Sequence, residues 1–142
     1  MKHPTEPTIC HMSIGTNDFD KAIAFYDDVL STLGIARVYE HEGAISYGRG
    51  WPTFWVQKPF DGQQATVGNG VHIGFYARNK QEVHAFYQEA IANGATCDGK
   101  PGPRAEYGEP YYGCFVRDLD GHKIEASYWD KALAEQIYGK SE

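Results

Sequence analysis

Two imidazoles and one carboxylate are the residues of this sequence best placed to do chemistry together. His11, His72 and Glu125 each stand in a short run of alternating side chains, around Ile9–Ile14, Val71–Phe75 and Lys123–Tyr128. Runs of this kind are half-buried strands, in which successive side chains point to opposite faces. Cys10, Met12 and Ile14 make one apolar set, Val71, Ile73 and Phe75 a second, and Ile124, Ala126 and Tyr128 a third. With these sets turned toward helices, His11, His72 and Glu125 share the opposite, open face. Neutral imidazole and carboxylate suit a divalent first-row metal, and two histidines with one carboxylate leave positions open for substrate or water. Each residue also has an ordinary reading. A strand histidine can be a hydrogen-bonded core residue, and Glu125 can pair with Lys123 or Arg117.

The elements that must position these residues come in duplicate. The same separation divides His11 from His72, Phe25-Tyr26 from Phe86-Tyr87, Val29 from Ala90 and Leu30 from Ile91. A repeat of this length marks a duplicated supersecondary unit. In the first copy Asn17-Asp18 caps a helix whose apolar stripe is Phe19, Ala22, Ile23, Tyr26, Val29, Leu30 and Leu33, and Gly34 ends it. In the second, Asn79 to Glu82 reads as a capping box, Val83, Phe86, Tyr87, Ala90 and Ile91 form the stripe, and Gly94 closes the helix. Short strand-like runs follow each helix: Arg37–Glu40, Ala44–Tyr47 and Thr53–Gln57, then Thr96–Asp98, Tyr111–Val116 and Lys123–Tyr128. Asp118 to Gly121 is a turn, and Gly99 to Pro110, rich in proline and glycine, reads as an ordered loop. The pattern predicts an α+β fold of two βαβββ modules in a single domain spanning 1–142. Module 1 covers about 8–60 and module 2 about 68–130, with a C-terminal helix at about 130–138.

Composition narrows the classes further. With 42% hydrophobic and 23% charged residues the chain is neither disordered nor fibrous. A net charge of −6 argues against nucleic acid and anionic membranes as partners. No apolar run reaches the roughly 20 residues of a membrane span, and the first residues lack the apolar stretch of a signal peptide. Cys10, Cys97 and Cys114 are an odd number without paired spacing, which predicts reduced packing residues and a cytoplasmic location. His3, His41, His84 and His122 read as solvated surface.

These residues carry a family resemblance. His11-Met12-Ser13-Ile14 leading into Phe25-Tyr26 and Leu33-Gly34, then Gly70-Val71-His72-Ile73-Gly74-Phe75, then Val116 through Asp118-Leu119-Asp120-Gly121 to Glu125, resemble the vicinal oxygen chelate superfamily. That group contains glyoxalase I, extradiol dioxygenases, methylmalonyl-CoA epimerase, and fosfomycin- and bleomycin-resistance proteins. The resemblance covers roughly residues 8–130. It implies two modules curled into a mixed-sheet cleft around one divalent metal ion (Fe, Mn, Ni or Zn), with His11, His72 and Glu125 as ligands, and it implies a homodimer. The fourth ligand position of the family falls near Trp55, which cannot bind a metal, and Gln57 on the same face is the nearest oxygen donor.

That departure sorts the chemistries. Without a carboxylate base at the fourth position, lactoylglutathione lyase activity is disfavoured, while Gln57 keeps an epimerase-like reading open. The three-ligand set matches extradiol dioxygenases, although no histidine lies between Glu42 and Val71 to handle protons. Fosfomycin-type transferases need a cationic pocket, for which the candidates are Arg49, Lys100, Arg104 and Lys123. The leading expectation is a metal-dependent, dioxygenase-like enzyme acting on a small oxygenated molecule. The alternatives are a glyoxalase- or epimerase-like enzyme and a metal-free antibiotic-binding protein. Trp55, Tyr47, Tyr111 and Tyr112 are expected to line the cleft, with Trp51 and Tyr107 also in view. Arg104 is placed at its mouth to hold a substrate carboxylate.

Overall fold

The structure, a computed structural model, describes residues 7–140. His3 and the other residues before Pro7 lie outside the described residues. Module 1 contains β1 (Met12–Gly15), α1 (Phe19–Ser31), β2 (Ala36–His41), β3 (Ala44–Gly48) and β4 (Phe54–Gln57). Module 2 repeats the order with β5 (His72–Tyr76), α2 (Lys80–Ala92), β6 (Thr96–Gly102), β7 (Tyr111–Arg117) and β8 (Lys123–Trp129), and α3 (Lys131–Tyr138) follows. The strand orders are β1-β4-β3-β2 and β5-β8-β7-β6. The helix-crossed pairs β1–β4 and β5–β8 are parallel and the remaining pairs antiparallel.

The helices form where the stripes and caps predict. Asp18 accepts from the Lys21 amide at 3.2 Å, and Asn79 accepts from the Glu82 amide at 2.8 Å. Glu82 completes the second cap by accepting from the Arg78 amide at 2.7 Å, one residue before the expected partner. Gly34 ends the first helical segment at φ 69° and Gly94 the second at φ 98°, a region that glycine enters without a side-chain clash. The 99–110 region departs from the expected loop. β6 continues to Gly102 across two register irregularities, and a 3-10 turn follows at Ala105–Tyr107. The bulges accommodate Gly99 and Pro101, which break a regular alternation.

One core underlies both sheets. Phe54 meets Phe75 edge-on at 5.0 Å across the seam between them. Around that contact the modules exchange polar ties. Arg49 donates to the carbonyls of Leu33 (2.7 Å) and Tyr76 (2.6 Å). Tyr26 donates to Asp118 at 2.5 Å, and Asp120 accepts from Thr16 at 2.6 Å and from the Asn17 amide at 2.9 Å. His122, expected to be solvated, instead bonds the Gly15 carbonyl through Nε2 at 2.7 Å. His84 is exposed, as expected, and meets the Tyr112 hydroxyl at 2.7 Å. Of the three cysteines expected to pack, only one does. Cys114 is buried, with its thiol pushed up to about 12 by loss of water, whereas Cys10 and Cys97 are exposed. Among the described residues no helix is long and apolar enough to cross a membrane.

Candidate functional site

Module 2 builds its open face around Glu125. The β5–β8 register sets Gly74 opposite Glu125, and His72 begins the same strand. His72 Nε2 lies 3.4 Å from Glu125 Oε1, with the imidazole side chain 46% exposed and the carboxylate 10%. Gly74 makes that approach possible, since a Cβ there would stand 3.0 Å from Oε1. The other carboxylate oxygen, Oε2, accepts from the Tyr111 hydroxyl. Burial, reinforced by the carboxylate, pushes the Tyr111 phenol well above its ordinary range and keeps it a donor. The Tyr111 ring is packed edge-on against Tyr107 (5.0 Å) and Trp129 (5.2 Å) and crosses Gly113, where a Cβ would fall 2.1 Å from the hydroxyl. A carboxylate with one oxygen tethered and the other turned to an imidazole is oriented as metal-binding carboxylates are.

A cationic fringe adjoins this pair. Phe115, the register partner of Glu125, meets the His72 ring at 5.9 Å. Lys123 Nζ stands 4.9 Å and the Arg104 guanidinium 5.8 Å from the centre of the Phe115 ring. Arg104 is steadied by the Lys100 carbonyl at 2.7 Å. Neither Lys123 nor Arg117 pairs with Glu125, because both contact Asp98, at 3.6 and 2.9 Å. The Arg49 side chain is instead engaged in the seam between the sheets. A cleft of about 520 Å³ follows that seam, bordered by Met12, Trp51, Phe54, Ile73 and Gly74. It therefore reaches the backbone beside Glu125.

Module 1 presents a different open face. His11 is exposed immediately before β1, and Ser13, Trp55 and Gln57 follow on the same side. Tyr39 and His41 complete it, with Ser46 between Tyr39 and Trp55 in the register. Thus His72 and Glu125 meet, while His11 stands on the other sheet. Among the described residues no three His, Cys, Asp or Glu side chains gather to hold a metal within one chain. The Nε2 and Oε1 donors of module 2 nevertheless fit a divalent ion as part of its ligand set, by donor type and by the Gly74 clearance.

Two expected cleft residues lie elsewhere. Tyr47 is 1% exposed beneath α1 and donates to Asp27 at 3.0 Å, because it shares the helix side of β3 with Ile45. Tyr112 also faces the helix, where it meets His84 and the Lys80 ammonium, 5.1 Å from its ring. Alternation allows only one of Tyr111 and Tyr112 on the open face, and it is Tyr111. The sequence reading missed Phe115, Tyr39 and His41 as open-face residues. The ten-residue step from Phe115 to Glu125 across the Asp118–Gly121 turn would have found the first.

Two βαβββ modules, each with a four-stranded mixed sheet, define the class of fold to which this chain belongs. The model of the Glyoxalase/Bleomycin resistance protein/Dioxygenase superfamily matches residues 8–126, and the chain belongs to that superfamily. A glyoxalase/bleomycin resistance protein from Albidiferax ferrireducens T118 superposes with a TM-score of 0.80 at 35% identity, covering 87% of this chain and 100% of that one. The metallothiol transferase FosB of Shouchella clausii (strain KSM-K16) is 27% identical over 129 residues, 91% of this chain and 84% of that protein. The fosfomycin resistance protein FosX of Listeria monocytogenes shares the fold, with a TM-score of 0.63 at 17% identity, covering 90% of this chain and 98% of that one.

Proposed function

We propose that this protein is a divalent-metal-dependent enzyme that binds a small oxyanionic substrate, with His72 and Glu125 as two metal ligands and His11 of a second copy as the third. The observation that carries this reading is the 3.4 Å approach of His72 Nε2 to Glu125 Oε1 while Tyr111 engages the other carboxylate oxygen. A second copy is invoked because His11 faces the open side of the other sheet, and a two-fold pairing of unlike modules completes two identical sites. Exposed Ile9, Trp51 and Tyr76 along the seam favour such a contact. Gln57 is kept as a weak fourth donor.

When bound, the ion supplies Lewis-acid polarisation of substrate oxygens. The chain itself does the rest. Tyr111 fixes the carboxylate, Phe115 shields one side of His72 from water, and Arg104 and Lys123 offset substrate negative charge. Dioxygenase-like chemistry remains the leading reaction class, from the two-histidine, one-carboxylate set. Group transfer to an anionic substrate is the second reading, favoured by the Arg104–Phe115–Lys123 arrangement and by the metallothiol transferase relative.

Metal content measured by mass spectrometry on wild type, His11→Ala and His72→Ala tests the ligand set. Wild type is expected to hold about one equivalent per chain after reconstitution, and each variant to lose it. Unfolding the two variants together and refolding them as a mixture then distinguishes the arrangements. Mixed dimers regain one intact site if His11 and His72 come from different copies. No regain, although mixed dimers have formed, overturns the shared site, and metal retained by His72→Ala overturns the ligand assignment.

A further inference from the structure

We propose that the open face of module 1 is a subsite for a flat aromatic ring, so that the substrate of the proposed site is an aryl compound with an oxyanionic head. This rests on the reading above, in which that face closes over the His72–Glu125 pair. Across β2, β3 and β4 the register aligns Tyr39 with Ser46 and Trp55, and His41 with Ala44 and Gln57. The middle strand thus supplies a floor of small side chains, and rings stand on both sides. Tyr39 and His41 lie 4.6 Å apart, and Trp55 stands 6.2 Å from Tyr39 and 6.4 Å from His41, its plane only 21° from the imidazole.

None of these three rings belongs to the buried core. Tyr39 is 51% exposed and His41 is exposed, so both rings are open to solvent beyond their contacts with each other and with Trp55. Their π faces favour planar partners over aliphatic ones. A second observation points the same way. Ser46 is fully buried on this face, and its hydroxyl has no hydrogen-bond partner among the described residues. Buried hydroxyls are normally paired, so one held beneath Tyr39 and Trp55 suits a polar atom brought in with the ring. The two faces then divide one ligand: cations and the imidazole–carboxylate pair take the oxygens, and the aromatic face takes the ring.

Benzohydroxamate and acetohydroxamate share a chelating head and differ by the ring. Titrated calorimetrically into manganese-loaded protein, benzohydroxamate is expected to bind about tenfold more tightly. Trp55→Ala is expected to remove that preference while leaving acetohydroxamate unchanged. Equal affinities, or a preference that survives both Trp55→Ala and Tyr39→Ala, overturn the subsite. The Trp55 indole N–H resonance, identified by its loss in Trp55→Ala, gives a readout without metal. There benzohydroxamate shifts the signal and acetohydroxamate does not, and this result with no effect of manganese retains the ring subsite while sinking the metal reading. A signal that neither probe moves overturns the subsite.

Discussion

The two modules share strand order, helix caps and a histidine at the same point of the repeat, yet their open faces have diverged. Module 2 flanks Glu125 with an imidazole and a buried phenol donor, and two cations stand over the adjoining Phe115 ring. Module 1 instead groups Trp55 with Tyr39 and His41. The helix-facing positions keep a common core, because any change there must fill the same volume. The open face carries no such constraint, so one half gathers polar groups and the other exposed rings. A pair of tyrosines shows the split well: Tyr47 sends its hydroxyl toward α1 to Asp27, and Tyr111 sends its own to Glu125.

Removing what the modules share should have the largest effect. Phe54→Ala opens a cavity at the seam against Phe75 and should cost about 3–5 kcal/mol, read as a lower urea midpoint with one cooperative transition. Two separate transitions would mean that the sheets are stable independently. The tyrosine pair gives a smaller and more selective contrast. Tyr111→Phe should weaken metal binding about tenfold by freeing Glu125 Oε2. Tyr47→Phe should leave metal binding unchanged and lower stability by about 1 kcal/mol. Competition with a chelator and thermal unfolding, run on both variants, separate the two roles, and equal effects on metal would break the contrast.

The smallest expected effect concerns module 1 alone. The Arg37 guanidinium, bonded to Asp27 at 2.6 and 2.8 Å, holds the Asp27 carboxyl below the usual carboxylate range, with Tyr47 assisting. A depressed carboxyl stabilises the fold above its unfolded pKa, and the contribution is lost as pH falls through the folded value. The pair is about one-third exposed, so solvent screening keeps the effect small. Urea midpoints measured from pH 6 down to pH 3 should fall less for Asp27→Asn than for wild type. Parallel curves would remove Asp27 from the acid response.

The repeat, the two helices and the facing of His72 and Glu125 were readable because alternation and helical spacing act over a few residues. Tyr47 obeyed the same rule, since it shares the side of Ile45, and its aromatic character drew it wrongly toward the cleft. β6 runs beyond its readable part because glycines and Pro101 conceal a strand whose register is bulged. Most of what escaped depends on pairing across long stretches of chain. The tie from His122 to Gly15 leaves no local pattern, and neither does the cluster of Tyr39 and His41 with Trp55. His11 belongs to this group, since its distance from the other candidate ligands is set by how whole sheets are arranged.

The turn at Asp118–Gly121 has a kinetic consequence. Through Tyr26, Thr16 and Gly15 it and the adjoining His122 join residues 92 to 107 positions apart. Closing so long a loop is entropically slow beside helix formation or the β7–β8 hairpin. His72, Tyr111 and Glu125 all belong to the second half of the chain and need no such closure to meet. On a ribosome that half emerges after the first, so the imidazole–carboxylate pair and the latch that binds the halves become available within the same few seconds of synthesis.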